Sequence, residues 1–157
     1  MKYVNEALSE QKKKQQSPGE DDKSILYNDL DTESSDIDKE YEINKQVFQK
    51  LDSLIRRDEL YLSADLSRED LVRMAHMNNT RFAKMIKENT GTNLSGYINE
   101  LRLNHAIHLL KEHPEYTLRA IAEASGINSM PTFHQLFKAR TGMTPSEFKN
   151  AEKELKK

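Results

Sequence analysis

Apolar residues recur along this chain at the three- and four-residue intervals of a helix face, and nowhere at the two-residue interval of a strand. Val47, Phe48, Leu51, Leu54 and Ile55 share one face, as do Leu71, Met74 and Ala75, and then Phe82, Met85 and Ile86. Ile98, Leu101, Ala106, Leu109 and Leu110 form a longer series, Leu118, Ile121 and Ala122 a short one, and Phe133 and Phe137 stand one turn apart. Cap residues bracket these stretches. Ser67 precedes the second, with Glu69 and Asp70 at the positive helix end; Asn78 and Gly91 enclose the third; Ser129 and Gly142 enclose the last. Thr144-Pro145-Ser146-Glu147 is a capping box with proline at the first helical position, opening a short closing helix through Phe148. The pattern predicts an all-α chain of about seven helices.

Two of these stretches repeat each other. Residues 66–97 contain Leu71-Val72, Met77, Asn78, Phe82, Ile86-Lys87, Thr90-Gly91, Ser95 and Tyr97, and residues 116–148 contain Ile121-Ala122, Ile127, Ser129, Phe133, Phe137-Lys138, Thr141-Gly142, Ser146 and Phe148. The offset is 50 before the turn and 51 after it, so the second copy has gained one residue near Asn128 while keeping its helical phase. Each copy is a pair of short helices around a tight turn, and Gly126 stands where such a turn needs positive φ. The series from Leu94 to about Lys111 joins the copies as a rod of roughly 27 Å at 1.5 Å per residue, and Pro114 limits it.

Composition divides the chain. Residues 1–45 hold seven Lys and no Arg against twelve Asp and Glu, whereas the remainder holds seventeen basic against fourteen acidic residues. With 36% hydrophobic residues overall, the stretch from Lys12 through Asp38 is too polar to offset the entropy of ordering it. Residues 1–42 are therefore expected to be a flexible acidic arm or linker, with Ile25, Leu26, Tyr27 and Leu30 as a short docking motif. The folded domain is expected over 43–152, divided into a first helix pair (66–93), a linker helix (94–112), a second pair (116–142) and a closing helix (144–152), with 153–157 as a tail. The absence of Cys excludes a disulfide framework, a thiol nucleophile and a Cys-based zinc site, and fits a reducing interior. No apolar run has the length of a membrane span, and the N-terminus has no signal-peptide core, which predicts a soluble polypeptide.

Little in the sequence points to catalysis. No nucleophile elbow, phosphate-binding loop, zinc-protease motif or dinucleotide turn is present, so an enzyme is not expected. His105 and His108 lie three apart on one helix with His113 nearby, but they have neither Cys nor a clustered carboxylate beside them, and neither metal nor cofactor is predicted. The informative surface is the outward face of the second helix in each pair: Asn79, Thr80, Ala83, Lys84 and Lys87 in the first, Met130, Pro131, His134, Gln135 and Lys138 in the second. Such faces can hydrogen-bond base edges, touch a thymine methyl or hold phosphate. For one helix alone, a merely solvated face would be the better reading. Two copies on a rod of roughly 27 Å favour DNA, whose major-groove segments recur on one side about every 34 Å. The rival reading is a helical protein-interaction module that binds no nucleic acid.

The run Arg102-xxx-Ala106-xx-Leu109-Leu110, with Ile121-Ala122-xxx-Gly126, Phe133-xxx-Phe137-Lys138, Gly142 and Thr144-Pro145-Ser146-Glu147-Phe148, closely resembles the DNA-binding domain of the AraC/XylS transcriptional regulators. The resemblance covers roughly residues 45–150 and agrees in the order and spacing of many positions at once. It implies two helix-turn-helix subdomains, each inserting one helix into the major groove. By position it assigns base reading to Thr80, Ala83 and Lys84 and to Met130, Pro131, His134 and Gln135, with Asn79, Arg81, Lys87, Ser129, Thr132 and Lys138 positioning the helices or holding phosphate. Departures are Ile127 for the usual Phe, His76 for a frequent Gly, Val72 for the usual Ala, and Pro131, which removes a donor at the second position of its helix.

The function implied is a sequence-specific regulator of transcription, an activator working in the cytoplasm with double-stranded DNA and RNA polymerase as partners. Leu60-Tyr61-Leu62, Asp65-Leu66-Ser67-Arg68-Glu69-Asp70-Leu71 and Ser95-Gly96-Tyr97-Ile98-Asn99 more loosely resemble a Bacteroidetes subset in which this domain is the cytoplasmic end of a membrane-anchored sensor. The short arm has no room for a small-molecule pocket, so a signal is expected to arrive through an upstream sensor domain or a partner protein.

Overall fold

Seven α-helices and one 3-10 turn make up residues 25–157, the part of the chain that the computed structural model describes, with side chains from residue 35 onward. They are α1 (Ile25–Arg57), the 3-10 turn (Leu60–Leu62), α2 (Arg68–Ala75), α3 (Asn79–Thr90), α4 (Leu94–Glu112), α5 (Leu118–Ala124), α6 (Met130–Thr141) and α7 (Pro145–Leu155). No strand occurs among the described residues.

Side-chain caps set the helix starts. Ser67 Oγ accepts from Asp70 N at 3.1 Å while Asp70 Oδ2 accepts from Ser67 N at 3.2 Å, and Thr144 and Glu147 form the same reciprocal pair at the start of α7. Asn78 and Ser129 cap α3 and α6, and Gly91 and Gly142 end them at φ 76° and 78°, as the sequence predicts. Asn93 and Thr117 cap α4 and α5 in the same way and carry no sequence signal beyond residue type.

The first helix differs most from expectation. Its backbone is helical from Ile25, eighteen residues before the point where the hydrophobic period predicts the domain to start at Ile43. Inward packing nevertheless begins there: Asn44, Val47, Leu51 and Ile55 are buried, whereas residues 35–42 are exposed apart from the partly covered Glu40. The packed portion supplies a nucleus onto which each further turn adds hydrogen bonds, helped by the Lys39–Asp36 pair at 3.7 Å, so the helix continues through the exposed residues 35–42. The docking motif at Ile25, Leu26, Tyr27 and Leu30 falls on side chains outside the described residues, as does the arm before Ile25.

Two cores lie on either side of α4. Tyr97, Ile98 and Leu101 join Val47, Leu51, Ile55, Leu71, Phe82, Met85 and Ile86 in the first. Leu103, Ala106 and Leu110 join Ile121, Ala122, Ile127, Phe133 and Phe137 in the second. On the first side, the Tyr97 hydroxyl donates to Asp52, which also receives Arg56 at 3.0 Å. On the second, Phe137 meets Phe133 and Phe148 edge to face at 5.6 and 5.4 Å, which seats α7.

Between Leu101 and Leu103 stands Arg102. Its Nε donates to the Tyr61 carbonyl at 2.6 Å and its Nη2 to the Ser63 carbonyl at 2.9 Å, so α4 grips the 3-10 turn at the boundary of the two cores. Burial pushes this guanidinium down from its ordinary value, and its two carbonyl acceptors offset the lost water. Gly126, the turn residue of the second pair, closes the same junction. A Cβ there would lie 2.9 Å from the carbonyl oxygens of both Tyr61 and Leu62 and 3.0 Å from Arg102 Nε. His76 holds the equivalent left-handed position in the first pair, φ 52° against 81°, but is exposed. The shared backbone explains why the pairs align, and the crowding explains why only the second requires glycine.

Gly126→Ala should therefore unfold more easily than Gly142→Ala. Both replace a residue at positive φ, a strain of about 1–3 kcal/mol, but only position 126 adds overlap with two backbone carbonyls, since Gly142 faces open space. Thermal unfolding of the two variants checks this, and equal midpoints would show that the junction yields. Acid should loosen α2. Hydrogen bonds from Ser67, and after them from Arg73, hold the Asp70 carboxyl below the usual carboxylate range. A depressed carboxyl contributes stability that is present above its unfolded pKa and lost as pH falls through the folded one, a window below about pH 4. Asp70→Asn should flatten that acid limb in a pH series of unfolding curves.

Candidate nucleic-acid interface

In each pair the second helix is held by a buried apolar stripe that includes phenylalanine and turns its other side to solvent. Phe82, Met85 and Ile86 anchor α3; Phe133 and Phe137 anchor α6. What remains outward on α3 is Asn79, Thr80, Ala83, Lys84 and Lys87, all exposed. On α6 the exposed set is Pro131, Thr132, His134, Gln135 and Lys138. Both helices thus present donors, acceptors and small apolar groups along one side, with the positive helix end leading.

The individual side chains are restrained to different degrees. Lys84 Nζ lies 3.9 Å from Glu88 Oε1, a loose surface pair worth little. Lys87 Nζ donates to the Gly91 carbonyl at 3.1 Å, at the C-terminal end of α3. Ser129 Oγ accepts from Thr132 Oγ1 at 3.0 Å and from Thr132 N at 3.4 Å, which holds the first turn of α6 despite Pro131 at its second position. The His134 ring stands edge-on to Phe133 at 6.2 Å. Arg140 Nε donates to Glu100 Oε1 at 2.9 Å and ties the far end of α6 to α4.

Two of the expected site residues are more covered than the rest. Arg81, expected among the residues that position the helices or hold phosphate, is turned inward: its Nε donates to Asn44 Oδ1 of α1 at 3.0 Å, and Glu40 Oε1 lies 3.8 Å away. The reason is helical phase, since position 81 borders Phe82 and lies one turn before Met85, on the side that α1 covers. Met130, expected to read bases, is half-buried against the second core, so its side chain is shared between core and surface. The histidines are scattered by packing. His105 stacks edge-on to Tyr61 at 6.2 Å, and burial pushes it below its ordinary value; His113 lies flat on Tyr116 at 4.6 Å and pairs with Glu115 at 3.0 Å. Among the described residues no group of three or more His, Cys, Asp or Glu is placed to hold a metal ion.

Arg68 is a site residue that the sequence reading missed. From the first turn of α2 its Nη2 donates to the Asn79 carbonyl at 3.3 Å, and its guanidinium lies 5.7 Å over the Phe82 ring, which binds the two helices of the first pair at the turn. An arginine beside an N-cap serine gives no signal of that reach. Asn44 was also missed, although it left a trace: it is the polar residue that extends the Val47, Leu51 and Ile55 face by one turn.

Comparison with known proteins agrees with this geometry. The family described as "Helix-turn-helix domain" matches residues 71–151, just over half of the chain, and the chain belongs to that family in its AraC-type form. The regulatory protein YesN of Bacillus subtilis is 38% identical over 77 residues, which span 48% of this chain and 21% of that protein. A transcriptional regulator from Chromobacterium violaceum, described as containing an AraC-type DNA-binding domain, superposes with a TM-score of 0.60 at 25% identity over 69% of this chain and 93% of its own. The DNA-binding domain of AdpA, solved with a target DNA, shares the fold with a TM-score of 0.60 at 19% identity, over 66% of this chain and 89% of its own. Among the described residues no helix is long and apolar enough to cross a membrane.

The different settings of Arg81 and Lys138 should separate in stability. Arg81→Ala strips the buried Asn44 of its hydrogen bond and should cost about 1–3 kcal/mol, whereas Lys138→Ala on the exposed face should stay within about 0.5 kcal/mol of the parent. Denaturant unfolding of both variants measures the difference; equal loss would place Arg81 at the surface.

Proposed function

We propose that this chain is a sequence-specific reader of double-stranded DNA that regulates transcription, placing α3 and α6 in successive major-groove segments. The observation that carries this reading is the pair of equivalent helices, each entered through the same left-handed turn, each anchored by a buried apolar stripe with phenylalanine and each exposing a hydrogen-bonding face, joined by the single helix α4. Thr80, Ala83 and Lys84 read bases in the first half-site; Pro131, His134 and Gln135, with the outer part of Met130, read them in the second. Asn79, Lys87, Ser129, Thr132 and Lys138 fix the helices on the phosphates. Pro131 and Met130 give the second half more apolar contact and fewer donors, so it relies more on thymine methyls and groove shape. The family resemblance supports activation in the cytoplasm, with RNA polymerase as second partner and the signal delivered by an upstream sensor domain or partner protein.

Selection of bound sequences from randomised DNA tests the proposal. Lys84→Ala and Gln135→Ala should each cost about 1–3 kcal/mol and relax preference at particular base pairs, whereas Lys138→Ala should weaken all sequences alike and reduce the salt slope. Retardation of mixed DNA should fall steeply with added salt through counterion release. Full affinity and unchanged preference in both the Lys84 and Gln135 variants would refute the site assignment.

A further inference from the structure

The first reading helix is held by a contact that the second lacks. Asn44 is 1% exposed on the inward side of α1 and accepts from Arg81, the third residue of α3, at 3.0 Å. The residue equivalent to Arg81 in the second repeat, Thr132, is exposed and bonded within its own turn. Packing does not demand a polar group at position 44, because the inward positions that follow, Val47, Leu51 and Ile55, are apolar. The contact is also incompletely satisfied, since Asn44 Nδ2 and Arg81 Nη2 are both buried without a hydrogen-bond partner. A buried polar pair of this kind adds less stability than an apolar pair of the same shape would, but it accepts one mutual placement of two helices where apolar side chains tolerate sliding.

We propose that Asn44 is a positioning residue for DNA recognition: through Arg81 it sets the rotation and depth of α3, so that base preference in the first half-site depends on the placement of α1. The inference rests on the DNA-reading function proposed above. Thr80 directly precedes Arg81, and Ala83 and Lys84 follow within a turn, so a small rotation at Arg81 moves all three reading side chains together. α1 is one unbroken helix through Asn44, and its exposed residues 35–42 therefore transmit a rotation to Asn44 without a hinge.

The test is selection from randomised DNA with the full chain and three variants: Asn44→Leu, Asn44→Leu combined with Arg81→Met, and Asn44→Asp. Asn44 is too deeply buried to touch DNA, so an altered preference in Asn44→Leu cannot come from a lost phosphate contact. Should Asn44→Leu fail to fold with its arginine unpaired, the double variant carries the test, since it replaces both polar groups at once. Base pairs belonging to α3 are those at which Lys84→Ala changes preference. At those pairs the folded double variant should lose preference by on the order of tenfold while the α6 half-site keeps its own. Asn44→Asp, which keeps an acceptor beside the guanidinium, should retain the parental preference. Parental preference at both half-sites in the folded double variant overturns the proposal, as does uniform weakening on every sequence, which would mark Arg81 as a plain phosphate contact. A parent chain without sequence preference overturns the DNA-reading function and this inference with it.

Discussion

The grip of Arg102 on the 3-10 turn decides how the two halves stand to each other. Its neighbours Leu101 and Leu103 enter different cores, so the guanidinium sits on the dividing line and is held there by the carbonyls of Tyr61 and Ser63. Gly126 adds a steric condition, because the second turn can approach the Tyr61 and Leu62 carbonyls only without a side chain. Either half alone approaches the size at which a hydrophobic core is marginal, about 60 residues. Sharing α4 gives each half a wall it does not have to build. The polar junction then converts a shared helix into a defined angle, which two helices entering consecutive groove segments require.

The two copies of one motif have unequal surroundings. The first pair is bound at the turn by Arg68 and held from behind by α1 through Arg81, two contacts with no equivalent in the second pair. The second relies on Ser129, Thr132 and the Arg140–Glu100 pair at its ends, and its first turn carries a proline. Charge follows the same division. α3 carries Arg81, Lys84 and Lys87 against Glu88, while α6 carries Lys138 and Arg140 near its far end and leaves its leading turns neutral. In the proposed reading, the first half contributes hydrogen bonds and charge at the bases and the second contributes shape.

The acidic stretch before the domain takes on a different meaning in three dimensions. Residues 35–42 are a solvent-exposed continuation of the helix that backs α3, and Glu40 reaches Arg81 at 3.8 Å. Negative charge is therefore built against the flank of α3, where it lies beside the guanidinium that helical phase already turns toward α1.

Most helix positions, several caps and the repeat were legible along the chain because each depends on residues a few places apart. The 3.6-residue period, Ser67, Asn78, Gly91, Ser129, Gly142 and Thr144 with Glu147 act within a single turn, and the structure places each of these caps as read. The outward faces of α3 and α6 followed from the same period, since Phe82 and Phe133 could only point inward. What only the tertiary structure decided are contacts across 37 to 41 residues: Arg81 on Asn44, Arg102 on Tyr61 and Ser63, Arg140 on Glu100. An arginine reaches several ångströms in any direction, and helical phase says which side it leaves the helix but not what waits there. The extent of α1 was equally hidden, because its exposed residues 35–42 are held helical by continuity with the packed turns that follow.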